Sequence, residues 1–119
     1  MDARLREGIR LFNDRQFFAS HEVWEEFYLD SEAENKPFLE GLIQLAAAFR
    51  LFCDFGETKG PVRMVYQALI RFENYRPAFL QIKVAELCQA AEAWAKEAEA
   101  GATPSAAMPK ITIQRLGWL

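Results

Sequence analysis

Hydrophobic residues recur along this chain with a period close to that of an α-helix, and polar, glycine or proline residues separate one periodic stretch from the next. Leu5, Ile9 and Phe12 share one face of a first helix behind Asp2, whose carboxylate suits an N-cap, and Asn13-Asp14 breaks it. A second helix is predicted from Phe17 to Asp30, with Phe17, Trp24, Phe27 and Tyr28 forming its buried arc. The polar segment SEAEN follows, and Pro37 stands in the first turn of a third helix over residues 36–55, where its missing N–H costs nothing.

That third helix is apolar in almost every direction, so it is expected to be surrounded by neighbours, with Gly41 and Ala46, Ala47 and Ala48 allowing close approach. Gly56 ends it. Lys59-Gly60-Pro61 restarts the chain into a fourth helix with Val62, Val65, Tyr66, Leu69 and Phe72 on one stripe, and Arg63, Gln67, Arg71 and Asn74 on the other. Tyr75-Arg76-Pro77 interrupts, because the residue before a proline resists helical angles. A fifth helix is predicted over residues 79–100, its inner stripe being Val84, Leu87, Cys88, Ala91, Trp94, Ala95 and Ala98. GATPSAAMP then reads as a linker, and KITIQRLGWL as a strap lying extended over the bundle or over a partner chain. A lone strand has nothing to pair with, so no sheet is expected. The chain therefore reads as one all-α domain over 1–119: a compact multihelical bundle of about five helices in 1–100 and a short irregular tail in 101–119.

Composition agrees with a globular chain: 119 residues, 51% hydrophobic and 26% charged. The net charge of −3 comes without any basic block, so nucleic-acid binding through Arg63, Arg71 and Arg76 is not expected. FLEGLIQLAAAFRLFCDF is about long enough to span a bilayer, but Glu40, Gln44, Arg50 and Asp54 interrupt it and mark a helix of a soluble protein. MDARLREGIRLF mixes charge into every turn and lacks the apolar run of a signal peptide, so a cytoplasmic protein without membrane contact is expected. Cys53 and Cys88 fall on apolar stripes with no CxxC partner and are expected to be buried free thiols. Ten Phe, three Trp and three Tyr are enough to leave apolar surface beyond one small core, which points to a homo-oligomer or a protein partner.

Candidate chemistry gathers around FFASHEVWEEFY, which holds the only histidine. His21 and Glu25 lie one helical turn apart on the border of the aromatic arc, while Glu22 and Glu26 point further out. A carboxylate beside an imidazole holds one tautomer, an arrangement that suits a general base. On the third helix Glu40 and Gln44 are also one turn apart, and a charge on so apolar a helix needs a partner or water. Packed as antiparallel neighbours, the two helices bring His21, Glu25, Glu40 and Gln44 into one polar cluster, the candidate ligand-binding site, with His21 and Glu25 the catalytic candidates. His21, Glu25 and Glu40 are the candidate ligands of a mononuclear divalent metal, of the manganese, iron or magnesium kind rather than structural zinc.

Other chemistries are pruned. A zinc-protease HExxH needs histidine where Glu25 stands, and a ferritin-like two-metal site needs two Glu-x-x-His pairs. Ser20 adjoins His21, but successive helical side chains diverge by about 100° and share a proton poorly. No Gly-rich phosphate loop occurs. The plain alternative is structural: a histidine bordering an apolar face that makes one hydrogen bond, Trp24 in the core, and Glu22 and Glu26 in water.

FNDRQFFASHEVWEEFY, FLEGLIQLAAAF and GETKGPVRMVYQAL together resemble the bacterial and archaeal family grouped as domain of unknown function 309, over roughly residues 11–75. His21, Glu22, Glu25 and Glu26 match its first motif, Gly41, Leu42, Ile43 and Gln44 its second, and Gly60 its third. Tyr28 departs from the family's tryptophan and Pro61 from its usual small residue. The resemblance implies a compact multihelical bundle and assigns no activity. Two functions are thus expected to compete: a module binding a protein or small ligand between helices, and a metal-assisted or general acid–base hydrolase built on the His/Glu cluster.

Overall fold

The computed structural model describes residues 1–101 and 108–115. Five α-helices carry the fold: α1 (Ala3–Asn13), α2 (Phe17–Leu29), α3 (Lys36–Phe55), α4 (Lys59–Phe72) and α5 (Val84–Glu99). Single 3-10 turns at Ala33–Asn35 and Glu73–Tyr75 precede α3 and follow α4. Among the described residues there is no named strand, and the expected all-α bundle is what the chain forms. The Asp2 carboxylate accepts the Arg4 backbone N–H at 2.8 Å, capping α1. Gly56 closes α3 with φ 69°, a left-handed angle that favours glycine.

Helix α1 crosses α2 at Gly8, whose bare backbone lies against the Trp24 ring. Ser20, sealed in the same crossing, donates its hydroxyl to the Gly8 carbonyl at 2.9 Å, and the Trp24 indole donates to the Leu5 carbonyl at 3.3 Å. Helix α3 packs between α2 and α4. On the α4 side, Gly41 makes room for Phe72: a β-carbon at Gly41 would sit 2.5 Å from that ring. Phe49 of α3 meets Phe12, Phe17 and Trp94, with ring centroids 5.9, 5.5 and 4.9 Å away, so one side chain ties α3 to α1, α2 and α5. The inner stripe expected for α5, Val84 through Ala98, is buried at every position.

Two expectations about burial need correction. Helix α3 is covered on three sides, not all round: Ile43, Gln44, Ala47 and Arg50 are only half-buried, and Phe55 is 61% exposed. Length contributes, since α3 has 20 residues against 13 in α2 and 14 in α4, and two of the half-buried positions, Gln44 and Arg50, are polar. Cys53 sits on the uncovered C-terminal turns and is exposed, whereas Cys88 is buried as expected, which pushes its thiol above the ordinary range.

The start of α5 also differs, at Val84 rather than 79. Residues 79–82 make a tight turn in which Phe79 and Ile82 exchange backbone hydrogen bonds of 3.0 and 2.8 Å, while Leu80 and Gln81 adopt φ of 49° and 66°. Neither is a residue that favours such angles, so no turn signal marks the site in the sequence. The C-terminal segment supplies the compensating contacts. Ile82 bridges to Ile113, the Lys83 N–H donates to the Thr112 carbonyl at 2.9 Å, and Asn13 brackets the backbone of buried Ile111 with bonds of 2.9 and 2.7 Å. The expected linker falls largely on residues 102–107, and the apolar close on 116–119, all outside the described residues.

Between α4 and α5, the Tyr66 hydroxyl donates to Glu99 at 2.5 Å, and this bond, aided by burial and the neighbouring negative charge, pushes the phenol up to about 12. The neutral phenol is thus the form the folded state favours. Its contribution is fully present below the ordinary tyrosine value of about 10 and is lost as pH rises from there through about 12. Ultraviolet difference titration should show the Tyr66 ionisation moving down towards the ordinary value in Glu99→Gln. An unchanged midpoint would remove the Glu99 contact as its cause.

Candidate functional site

The open face of α3 is the floor of a groove. Helices α2 and α3 run antiparallel. Near the end of α2 the Tyr28 hydroxyl donates to Glu40 Oε1 at 2.8 Å, and near its start the Phe18 ring lies 4.2 Å from the Arg50 guanidinium carbon. Opposite α2, Arg71 of α4 reaches across and donates to Glu40 Oε2 at 2.5 Å. Together these helices enclose a cavity of about 540 Å³ lined by Glu25, Tyr28 and Leu29 of α2, Glu40, Ile43, Gln44 and Ala47 of α3, and Arg71 of α4. A smaller hollow of about 140 Å³ shares Ala47 and continues along α3 past His21, Arg50 and Leu51.

Of the residues singled out in the sequence, the large cavity gathers Glu25, Glu40 and Gln44 and leaves His21 in the adjoining hollow. His21 Nε2 lies 3.5 Å from Glu25 Oε1, the one-turn contact expected, and His21 Nδ1 lies 3.9 Å from Glu22 Oε1. The Nδ1 atom is buried without a hydrogen-bond partner. Glu40 does not join this group. Both its oxygens are taken, one by the Tyr28 hydroxyl and one by Arg71, which answers the need of a carboxylate on an apolar helix for a partner. The hydrogen bond to Glu40, with burial, holds the Tyr28 phenol above its ordinary range.

The set His21, Glu25 and Glu40 therefore does not converge on one point. The side chains that do come together are His21, Glu22 and Glu25, with one ligand atom from each within 4.8 Å of the others. All three belong to one turn of α2, with the two glutamates largely in water. An imidazole nitrogen with two carboxylate oxygens is a donor set that accepts manganese, iron or zinc. Yet the carboxylates stand by different ring nitrogens, so an ion held at Nε2 has Glu25 beside it and Glu22 on the far edge.

Gln44 donates to the Gln67 side chain at 2.7 Å, and its own carbonyl oxygen is buried and unpaired. Ser20, adjacent to His21 in sequence, faces away into the α1 crossing and takes no part. Sequence reasoning did not find Arg71 or the Tyr28 hydroxyl as site groups. The one signal available was the unpaired charge of Glu40, which demanded a cation without saying from which helix.

A family model described as domain of unknown function 309 matches residues 5–64, half of the 119-residue chain. The chain belongs to that family. The match spans α1, α2 and α3 and enters α4, so it contains His21, Glu22, Glu25, Glu40 and Gln44 and stops short of Arg71. No curated protein matches the chain. Among the described residues no helix is long and apolar enough to cross a membrane.

Proposed function

We propose that this protein is a binding module whose ligand lies in the groove between α2, α3 and α4. One observation carries the reading: a cavity of about 540 Å³, in the size range of ligand sites, has Ile43 and Ala47 on its floor, and among its polar lining groups Tyr28, Glu40 and Arg71 are paired with one another. Ile43, Ala47 and Leu29 offer apolar contact, and the Glu25 carboxylate accepts hydrogen bonds. A ligand suited to it has an apolar body and an N–H or cationic donor. The Glu40–Arg71 pair closes one end and is already satisfied, so it shapes the groove without demanding a counter-ion. The two free thiols fit a reducing cytoplasm.

The test is a nuclear magnetic resonance screen with small apolar amides and amines. Amide signals of Gln44, Ala47 and Leu29 are expected to shift together, and Ala47→Met, which fills the floor, is expected to abolish the shifts. Shifts confined to other surfaces, or unaffected by Ala47→Met, would overturn the assignment.

A second reading rests on the His21–Glu22–Glu25 group: a divalent cation held on α2, serving a hydrolase in which His21 and Glu25 handle protons. Manganese titration is expected to broaden the His21 ring signals selectively and to do so no longer in Glu25→Gln. Uniform or absent broadening removes this reading and leaves the binding module standing.

A further inference from the structure

We infer that the groove's occupant is a basic amphipathic helix of a partner protein, a proposal that rests on the binding reading above and names its ligand class. The floor supplies the first argument. Ile43, Ala47 and Leu51 lie at successive four-residue steps on the half-covered face of α3, an apolar ridge about 12 Å long at 1.5 Å per residue. Leu29, 74% exposed, extends it at one end, and Phe18, 49% exposed, borders it at the other. A floor with helical ridges flanked by two further helices receives the ridges of another helix at ordinary packing distances.

Charge supplies the second. Glu22, Glu25 and Glu26 line the outer edge of α2, and among the described residues no lysine or arginine lies in ion-pair distance of any of them. Their one ionisable neighbour is His21, beside Glu22 and Glu25. The cations nearer the groove are engaged elsewhere. Arg71 pairs with Glu40, Arg50 stacks on Phe18 and lies 3.7 Å from Asp54, and Lys36 sits over the Tyr28 ring at 5.0 Å. An apolar floor beside unneutralised carboxylates one turn apart is complementary to a helix with an apolar stripe flanked by lysine or arginine one turn apart. Helix α1 of a second copy does not supply such a helix. The arginine-bearing α1 has its apolar face, Leu5, Ile9 and Phe12, sealed in its own core.

The experiment uses the full chain and three synthetic helix-forming peptides of about four turns: a leucine stripe flanked by lysines, the same stripe flanked by glutamates, and a lysine-rich helix without leucines. Calorimetry at low and high salt and amide-shift mapping are the readouts. The basic amphipathic peptide is expected to bind, shift α2 and α3 signals along the groove, and weaken with salt. Glu22→Gln/Glu25→Gln is expected to lower its affinity about fivefold and flatten the salt dependence, and Leu29→Glu to lower it about tenfold. All three positions are solvent-exposed, and circular dichroism verifies folding. Glu92→Gln/Glu97→Gln removes the same charge from α5, which does not line the groove, and should change nothing. Equal binding of the glutamate-flanked or leucine-free peptide, shifts away from the groove, or no binding of the basic peptide overturns the proposal. If small amides still shift Gln44 and Ala47 while the basic peptide does not bind, the partner class falls and the binding module survives. If neither acts, both fall.

Discussion

Gly8→Ala is expected to lower the stability of this protein by about 3 kcal/mol, at the upper end of what overpacking one methyl group costs. A β-carbon at Gly8 would lie 2.1 Å from Trp24 Nε1 and 2.4 Å from Cδ1. The ring has nowhere to go: it is fully buried, Phe12 stands 5.7 Å from it, and its N–H is tied to the Leu5 carbonyl. Relief by moving α1 outward would break the Ser20–Gly8 hydrogen bond and leave a buried hydroxyl unpaired. Since a domain of this size is stable by about 5–15 kcal/mol, such a loss moves the denaturant midpoint substantially. Gly60→Ala is the matched control. It too lies in a helix, but no atom outside the local backbone lies within 4 Å of where its β-carbon would sit, and it is expected to gain up to about 0.5 kcal/mol. Equal midpoints for the two variants would show that α1 and α2 do not cross at this distance.

Phe49→Ala is expected to cost about 4 kcal/mol, the usual range for emptying a large aromatic site. Phe49 is fully buried and touches rings from α1, α2 and α5, so the cavity it leaves borders three other helices and cannot be closed by shifting one of them. At about 4 °C per kcal/mol, the melting temperature should fall by roughly 15 °C. Phe55→Ala removes the same ring from the same helix where it is 61% exposed, and the change should stay within about 0.5 kcal/mol. Comparable losses for the two would mean that α3 does not dock through the face described. That docking also leaves Ile43, Ala47 and Leu51 facing outward, so the groove exists because Phe49 points the other way.

Part of the candidate site was legible in the residue order. His21 and Glu25 are four positions apart in one helix, so their contact follows from helical geometry alone, and they lie 3.5 Å apart. The antiparallel packing of α2 and α3 was legible as a condition, since a short connection between two helices favours it. The partner of Glu40 was not. Arg71 lies 31 residues away on a helix whose polar stripe looks like any solvated face. His21 and Glu40 were expected in one cluster because both interrupt apolar stripes, but with Tyr28 at one end of the α2–α3 contact and Phe18 at the other, the two fall in different hollows. The exposed state of Cys53 was hidden for a related reason: an apolar stripe tells which way a side chain points and not whether another helix reaches that far.

By itself, the order of residues determined the number and sequence of the helices, the buried stripes of α1 and α5, the buried Val62, Val65 and Phe72 of α4, and the capping of α1 by Asp2. These follow from relations among residues within a few positions of one another, which a helix satisfies before any tertiary contact forms. Tertiary structure alone decided where α5 begins, which side of α3 stays open, and that Glu40 is spent on Tyr28 and Arg71. Each of these depends on how far a neighbouring helix extends or which distant group arrives: the Ile82–Ile113 bridge holds an unlikely turn, and the shorter α2 and α4 leave part of α3 bare. Such matches are properties of the assembled shape, where burial and pairing are settled jointly across the chain rather than within a turn of helix.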